Sequence, residues 1–373
     1  MKTPRDWVTR PLSQFVSLQR GFDLPTHARV PGSVPVLSSG GVNGSHNEAK
    51  VDGDNFVIGR ATNIGRPTWS SVPFWPLNTT LFVKDFLGNF PKFCFYWFLA
   101  TDLSGFDSGS VQPMLNRNYI ANIPVAIPSF VEQRRIAGVL GALDDKIESN
   151  QNLAEVIPSL IDAQIHHELS DGSGDSIPVS KLAKFVNGGA YTKEASGTGR
   201  MVIRIADLNT GPGASTIYND IDVPSDRLAH FGDLLMSWSG SLGVYVWVRE
   251  EAIVNQHIFK VIFTDFPAWL VHNRLNVALH SFRAIAADKA TTMGHIQRKH
   301  LDETFVEVPI AKLEQLNHLC IPLWNRFISA QLESMRLAEL RDALLPELMS
   351  GRMRVDKAGC LVSEALDEEV ADV

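Results

Sequence analysis

Met114-Leu-Asn-Arg-Asn-Tyr-Ile-Ala-Asn-Ile-Pro-Val-Ala-Ile-Pro128 lies without a gap against His295-Ile-Gln-Arg-Lys-His-Leu-Asp-Glu-Thr-Phe-Val-Glu-Val-Pro309. Apolar positions fall on apolar positions, Arg117 falls on Arg298, and both stretches close on a proline. Two further matches precede this one in each half. Leu12-Ser-Gln-Phe15-Val16 pairs with Leu182-Ala-Lys-Phe185-Val186, each ahead of a glycine-containing turn. Gly53-Asp54-Asn-Phe-Val-Ile pairs with Gly232-Asp233-Leu-Leu-Met-Ser. Three matches in one order make the chain a duplication of about half its length, and a repeat decides the architecture before any motif does.

Each repeat has two parts. The first is β-rich, with short apolar or alternating runs at 55–58, 81–83, 202–205, 244–248 and 259–263. Turn clusters such as 38–44 and 210–213 separate them. The second part is a long helix. Ser129-Phe-Val-Glu132 predicts a capping box at its start, the serine oxygen and the glutamate satisfying orphan amides reciprocally. From there Ile136, Leu140, Leu143, Ile147, Asn150, Ala154, Ile157 and Ile161 recur at steps of three and four, a heptad seam. The second repeat answers with Leu316, Cys320, Leu323, Phe327, Ala330, Ser334, Leu337 and Leu344, less regularly, with Arg341 at one seam position. Pro158 and Pro346 sit late in the two helices and predict a kink or an end. Their distances from Pro128 and Pro309 differ by one heptad, so the second helix is expected to be the first plus two turns.

This reading divides the chain into a first domain at 1–128, a first helix at 129–169, a flexible polar linker at 170–176, a second domain at 177–309 and a second helix at 310–355. An acidic tail at 356–373, short of aromatics, is expected to be disordered.

The 373 residues are 45% apolar and 20% charged, ordinary globular material. No apolar run is long enough to span a bilayer, no signal-like stretch opens the sequence, and the three cysteines lie far apart. A reducing cytoplasm is the expected compartment. A net charge of −7 argues against a simple nucleic-acid binder, but its distribution does not. Residues 1–128 carry 11 basic against 8 acidic side chains, whereas 129–172 carry 3 against 8. The acidity belongs to helix and tail, and DNA binding by the β-rich parts stays open.

Catalytic motifs are missing. No Gly-x-Gly-x-x-Gly follows a strand, no Walker-type Gly-Lys-Ser/Thr is present, and no Asn/Asp-Pro-Pro-aromatic stretch of the amino-methyltransferase kind appears. Asp144-Asp145 and His166-His167 read as surface or capping charge, and His257 and His272 as structural histidines. Phe93, Phe95, Tyr96, Trp97 and Phe98 read as a buried helix or strand rather than a base-stacking platform.

Two tandem β-rich domains, each followed by a seam-bearing helix, resemble the specificity subunit of type I restriction–modification enzymes. The carrying residues are Pro128, Glu132, Gln133, Ile136, Leu140, Leu143, Asp144 and Ile147, together with the closing stretch Leu340-Arg341-Asp342-Ala-Leu-Leu-Pro346-Glu-Leu348-Met-Ser350-Gly351. The resemblance covers residues 7 to 355, with a degraded opening, Leu313-Glu314-Gln315-Leu316, in the second helix.

It implies an α+β fold of two target recognition domains, each reading half of a split sequence in double-stranded DNA, on two helices packed as an antiparallel coiled coil. It also implies modification (methyltransferase) subunits that bind S-adenosylmethionine and restriction subunits that use ATP and Mg. This chain itself would hold no cofactor or metal and catalyse nothing. A helix of about 35–40 residues is roughly 55 Å long, enough to hold two readers more than one DNA turn apart.

The helix-pair seam would then be built by Ile136, Leu140, Leu143, Ile147 and Ile157 with Leu316, Leu323, Phe327, Leu337 and Leu344. Base edges are read by forked donors and amides. The expected readers are Asn43, His46, Arg60, Asn63, Arg66, Asn116 and Arg117 in the first domain. In the second they are Thr192, Lys193, Arg204, Trp238, Ser239, Gln297, Arg298 and Lys299. The alternatives are a non-DNA scaffold, two adhesive β-rich modules on a helical spacer, and an enzyme with an unrecognised site.

Overall fold

The computed structural model describes residues 6–106, 114–288 and 294–367. Its helices are α1 (Pro91–Ala100), α2 (Arg117–Ile120), α3 (Phe130–Glu168), α4 (Ile205–Thr210), α5 (Ala268–Asp288), α6 (Arg298–Glu303), α7 (Leu313–Met349) and α8 (Val355–Asp367). The chain divides into two compact units, Met1–Ile147 with Arg336–Val373, and Glu148–Met335. The two long helices, α3 and α7, each contribute to both.

In the first unit, strands Ser17–Arg20, Thr80–Asp85, Asn55–Gly59 and Pro67–Ser70 lie side by side in that order. Val34–Ser38 joins Gly41–His46 and Trp75–Pro76 in a second, smaller sheet. A ribbon of Val8–Pro11 against Pro124–Ile127 closes the unit. Alternating apolar side chains on 55–59 and 80–85 feed two clusters, one per face, as a half-buried strand should. Pro91 sits at the first position of α1, where its missing N–H costs nothing. Phe93, Cys94, Tyr96, Trp97 and Phe98 of this helix are buried, with Phe15 edge-on to Phe93 and Trp97, so the aromatic run is core.

The second unit repeats this plan. Ala183–Asn187, Ile258–Phe263, Leu234–Ser237 and Gly243–Val246 form the four-stranded sheet in the same order. Asp175–Pro178 pairs with Phe305–Val308 as the ribbon. The second sheet gains one short strand, Leu228–Ala229, beside Ala252–Val254, Arg200–Ile203 and Ile217–Asn219.

The duplication is therefore real, but its register differs from the sequence match at two places. Pro11 faces Pro124 as Pro178 faces Phe305, and the next amides, Leu12 and Val179, donate to Ile123 and Thr304. Leu12 thus corresponds to Val179, three residues before the look-alike Leu182. In the middle of the repeat the match slips by one. Gly59 faces Thr80 as Ser237 faces Ile258, which sets Asp54 against Gly232. Both take a left-handed backbone, φ 53° and 86°. A one-residue slip turns every strand side chain to the other face, and only the corrected register keeps Ile58 and Met236 in the corresponding clusters.

The helix pair runs antiparallel. In the second unit Asn150 of α3 meets Arg326 of α7 at 3.5 Å, while Glu168 near the end of α3 meets Lys312 just ahead of α7 at 3.4 Å. The expected seam residues Ile136, Leu140, Leu143, Ile147, Ile157, Leu316, Phe327, Leu337 and Leu344 are buried. Leu323 is half-buried, and its neighbour Trp324 takes the inner place.

Four expectations are corrected here. Pro158 does not end α3, which continues to Glu168 because Ile157, Ile161 and Ile165 are anchored in the second unit's core. The helices are accordingly 39 and 37 residues, not one heptad different. Residues 170–174 form a hydrogen-bonded turn with Gly172 at φ 74°, and a strand begins at Asp175. Residues 356–367 of the tail expected to be disordered belong to α8, whose Val355, Ala358 and Val362 lie in the first unit's core while Asp356 pairs with Arg135; 368–373 lie outside the described residues. The apolar stripe of α8 at helical spacing outweighs an acidic composition.

Asp144 is also not surface charge. It accepts the Tyr96 hydroxyl at 2.6 Å and Arg341 Nη1 at 2.9 Å, which explains an arginine at a seam position. At the start of α3, Ser129 Oγ accepts the Glu132 amide at 3.3 Å. Buried Gln133 accepts from the Phe90 amide and donates to Asn89 and Pro128, stitching α3 to the start of α1.

Candidate nucleic-acid interface

The repeated stretch that decides the fold also builds the candidate site. In the first unit Leu115 N–H donates to the Arg60 carbonyl, and Arg60 Nε returns a bond to the Leu115 carbonyl at 3.3 Å. This clamp sets α2 beside the end of the 55–59 strand. Asn116 caps α2 by accepting the Asn118 amide, and Arg117, its first residue, points outward with Nη1 on the Leu18 carbonyl at 3.0 Å. Arg60 Nη1 also reaches the Asn78 carbonyl at 2.9 Å, and Arg20 Nε reaches the same oxygen at 3.4 Å. Arg20, Arg60, Asn116 and Arg117 thereby line one open groove of about 610 Å³. Burial, and next the nearby Arg20 charge, pull the Arg60 pKa down.

Gly21 makes the approach feasible. A Cβ there would lie 2.2 Å from the Leu77 carbonyl oxygen, and at Gly188 it would lie 2.2 Å from that of Asn255. Both halves thus need glycine where this strand end crosses its neighbour.

The other first-unit candidates fare differently. Asn63 and Arg66 are exposed in the turn that closes the 55–59 hairpin, with Asn63 left-handed and donating to the Ser39 carbonyl at 3.1 Å. Asn43 is exposed and its amide oxygen is held by Arg29 at 3.2 Å. His46 is 6% exposed, accepts the Val30 amide and lies edge-on to Trp75 at 5.1 Å. It is a core residue.

In the second unit Ile296 N–H donates to the Trp238 carbonyl, the counterpart of Leu115 and Arg60. Gln297 caps α6 through a box with His300, and Arg298 opens the helix. Arg298, Lys181, Lys184, Asp265 and Asp302 line a groove of about 450 Å³ beside Ser180. It matches a first-unit groove lined by Ser13, Ser17, Arg117 and Asn118. Trp238 Nε1 donates to Asn187 Oδ1 at 2.9 Å, and its ring meets His257 at 5.2 Å. Ser239 bridges to His295, next to the α6 approach, and Lys299 is exposed on α6.

Thr192 and Lys193 lie in a separate turn after Gly189, outside that groove. Arg204 spends its fork on Asp207 at 2.9 and 3.1 Å. Burial pulls the Asp207 carboxyl up, but hydrogen bonds from Arg204 and Thr216 outweigh it and hold the pKa below the usual value.

Arg20, Lys181, Lys184 and Asn187 were not among the expected readers. A signal existed for two of them, since Arg20-Gly21 and Asn187-Gly188 are the residues just before the repeated glycine.

Each of the two β-rich repeats carries an arginine-headed helix at one position. Residues 4–159 match the family described as type I restriction modification DNA specificity domain. That stretch takes in the first repeat and most of α3, and the second repeat has the same strand order. The type I restriction enzyme MjaIX specificity subunit of Methanocaldococcus jannaschii is 22% identical over 326 residues, 76% of this chain and 74% of that one. The crystal structure of a type I restriction–modification S subunit from M. genitalium superposes with a TM-score of 0.61 at 14% identity. It covers 93% of this chain and 98% of that one, and so shares the fold. Among the described residues no helix is long and apolar enough to cross a membrane.

Proposed function

We propose that this chain is the sequence-recognition subunit of a type I restriction–modification complex and reads a bipartite target in double-stranded DNA. The observation that carries the reading is the repeated site. Arg117 and Arg298 head equivalent short helices, each beside a groove with other cationic or amide side chains. Cationic forks contribute phosphate affinity, and forks and amides left free of internal partners can read base edges.

In this reading α3 and α7 act as spacer between two half-sites. Modification subunits supply S-adenosylmethionine and methyl transfer, and restriction subunits supply ATP and Mg chemistry. The chain contributes target choice and no catalysis. Single-molecule methylome sequencing of cells with and without this gene tests the proposal. A methylated split motif that disappears with the gene is expected. An unchanged methylome, or methyl transfer by the purified chain alone, would contradict it.

A further inference from the structure

Arg20 and Arg60 converge on one carbonyl oxygen, that of Asn78, and neither has a carboxylate within ion-pair distance among the described residues. The one acidic side chain lining the groove, Asp23, accepts the Asn78 side-chain amide instead. Two guanidinium groups sharing one neutral acceptor repel each other, an arrangement that an incoming acceptor-rich ligand relieves.

The two arginines are not equivalent. Arg60 is half-buried and spends Nε on Leu115 and Nη1 on Asn78, which leaves only Nη2 for a further partner. Arg20 is exposed and uses only Nε, at 3.4 Å, which leaves both terminal nitrogens for a bidentate partner. At the corresponding place the second unit has Asn187 and Trp238, uncharged and hydrogen-bonded to each other at 2.9 Å. Topology is shared there and chemistry is not.

We propose that Arg20 is the specificity-determining residue of the first domain, reading a base edge with two acceptors, as guanine presents in the major groove. Arg60 is its positioning residue. Asn187, whose amide N–H₂ remains available, presents a different donor pattern at the second half-site, so the two halves call for different bases. The inference rests on the DNA-recognition reading above.

The test uses the chain assembled with its modification subunits and two duplex libraries, each randomised in one half-site, with methylation as readout. Arg20→Ala is expected to lower discrimination at one guanine position of one half-site by roughly 5- to 150-fold. The profile of the other half-site, which serves as the folding control, should not move. Arg20→Lys should keep the salt dependence without restoring the guanine preference, because an ammonium lacks the fork. Arg60→Gln should weaken preference at the same position, a readout that mere destabilisation of the domain would not single out.

An Arg20→Ala complex that loses methylation equally on all sequences, with a salt slope reduced by about one, would make Arg20 a phosphate contact and overturn the proposal. An unchanged profile would overturn it as well. A wild-type complex that methylates no split site would instead overturn the DNA-recognition reading itself, and the unmutated control reveals that separately.

Discussion

The two units fasten their own helix to α3 with different chemistry. In the first, α1 offers the neutral Tyr96 hydroxyl to Asp144 at 2.6 Å, and α7 adds Arg341 at 2.9 Å from the other side. In the second, α5 offers the Asn273 amide at 3.0 Å and the Arg274 guanidinium at 3.3 Å to Asp162. Burial dominates both donors. It pushes the Tyr96 phenol far up, with Asp144 adding to the shift, and it pulls Arg274 down against the opposing charges of Asp162 and Glu307. A repeat can therefore keep its strand order while the polar pins are rebuilt. What is constrained is the satisfaction of each buried donor, not its identity.

The largest effects should be alike in the two units, because both rest on the seam. Leu140→Ala in the first and Ile161→Ala in the second each remove a side chain that is at most 2% exposed. Each is expected to cost about 2–5 kcal/mol in denaturant unfolding. A cost below 1 kcal/mol at either site would show that the helix pair does not carry that unit.

Acid should separate the units. His272 on α5 is buried between Trp324 and Phe327, and burial lowers its pKa to about 4. Its ordinary value is about 6.5, so between those values the unfolded chain binds the extra proton. Stability contributed by the neutral ring is complete above pH 6.5 and is lost as pH falls towards 4, by about 3 kcal/mol over the window. In the first unit α1 buries Phe93, Cys94, Tyr96, Trp97 and Phe98, none of which titrates there. Hydrogen exchange at pH 7 and pH 4.5 should therefore show the second unit loosening first. His272→Leu should remove most of the difference, and an unaltered difference in that variant would assign the acid sensitivity elsewhere.

The smallest contrast concerns the pins themselves. Asp162→Ala strands a buried guanidinium, whereas Asp144→Ala strands a hydroxyl and the partly exposed Arg341. The expected costs are about 1–3 kcal/mol for the first and about 1 kcal/mol for the second. The reverse order in thermal unfolding would mean that Arg274 finds enough acceptors in Asn273 Oδ1 and the Glu307 carbonyl.

The duplication, the long helices and the arginine slot were legible because apolar spacing and proline placement survive in both halves. The register was not. Leu12-Ser-Gln-Phe15 looks more like Leu182-Ala-Lys-Phe185 than like Val179-Ser-Lys-Leu182, and only the ribbon's hydrogen bonds reveal the true partner. Asp54 hides its equivalence to Gly232, since a left-handed backbone can be met by either residue.

In the site, Arg60, Asn116 and Arg117 could be proposed as forks and amides beside turns. Arg20 carried only the weak signal of standing before the repeated glycine, because it meets the groove through Asn78, 58 residues away. His46 and Arg204 are both held by local partners. Burial and the Val30 amide hold His46 in the core, and Asp207 takes the fork of Arg204.

If, as proposed, α3 and α7 act as the spacer between two half-sites, helix length should set the spacing of the methylated motif. Deleting one heptad from each helix, 150–156 and 327–333, keeps both seams in phase and shortens each helix by about 10 Å at roughly 1.5 Å per residue. Each B-DNA base pair rises about 3.4 Å. The methylated motif of the deletion complex should therefore keep both half-site sequences and lose up to about three base pairs between them. A deletion complex that assembles, methylates and retains the original spacing would contradict the account.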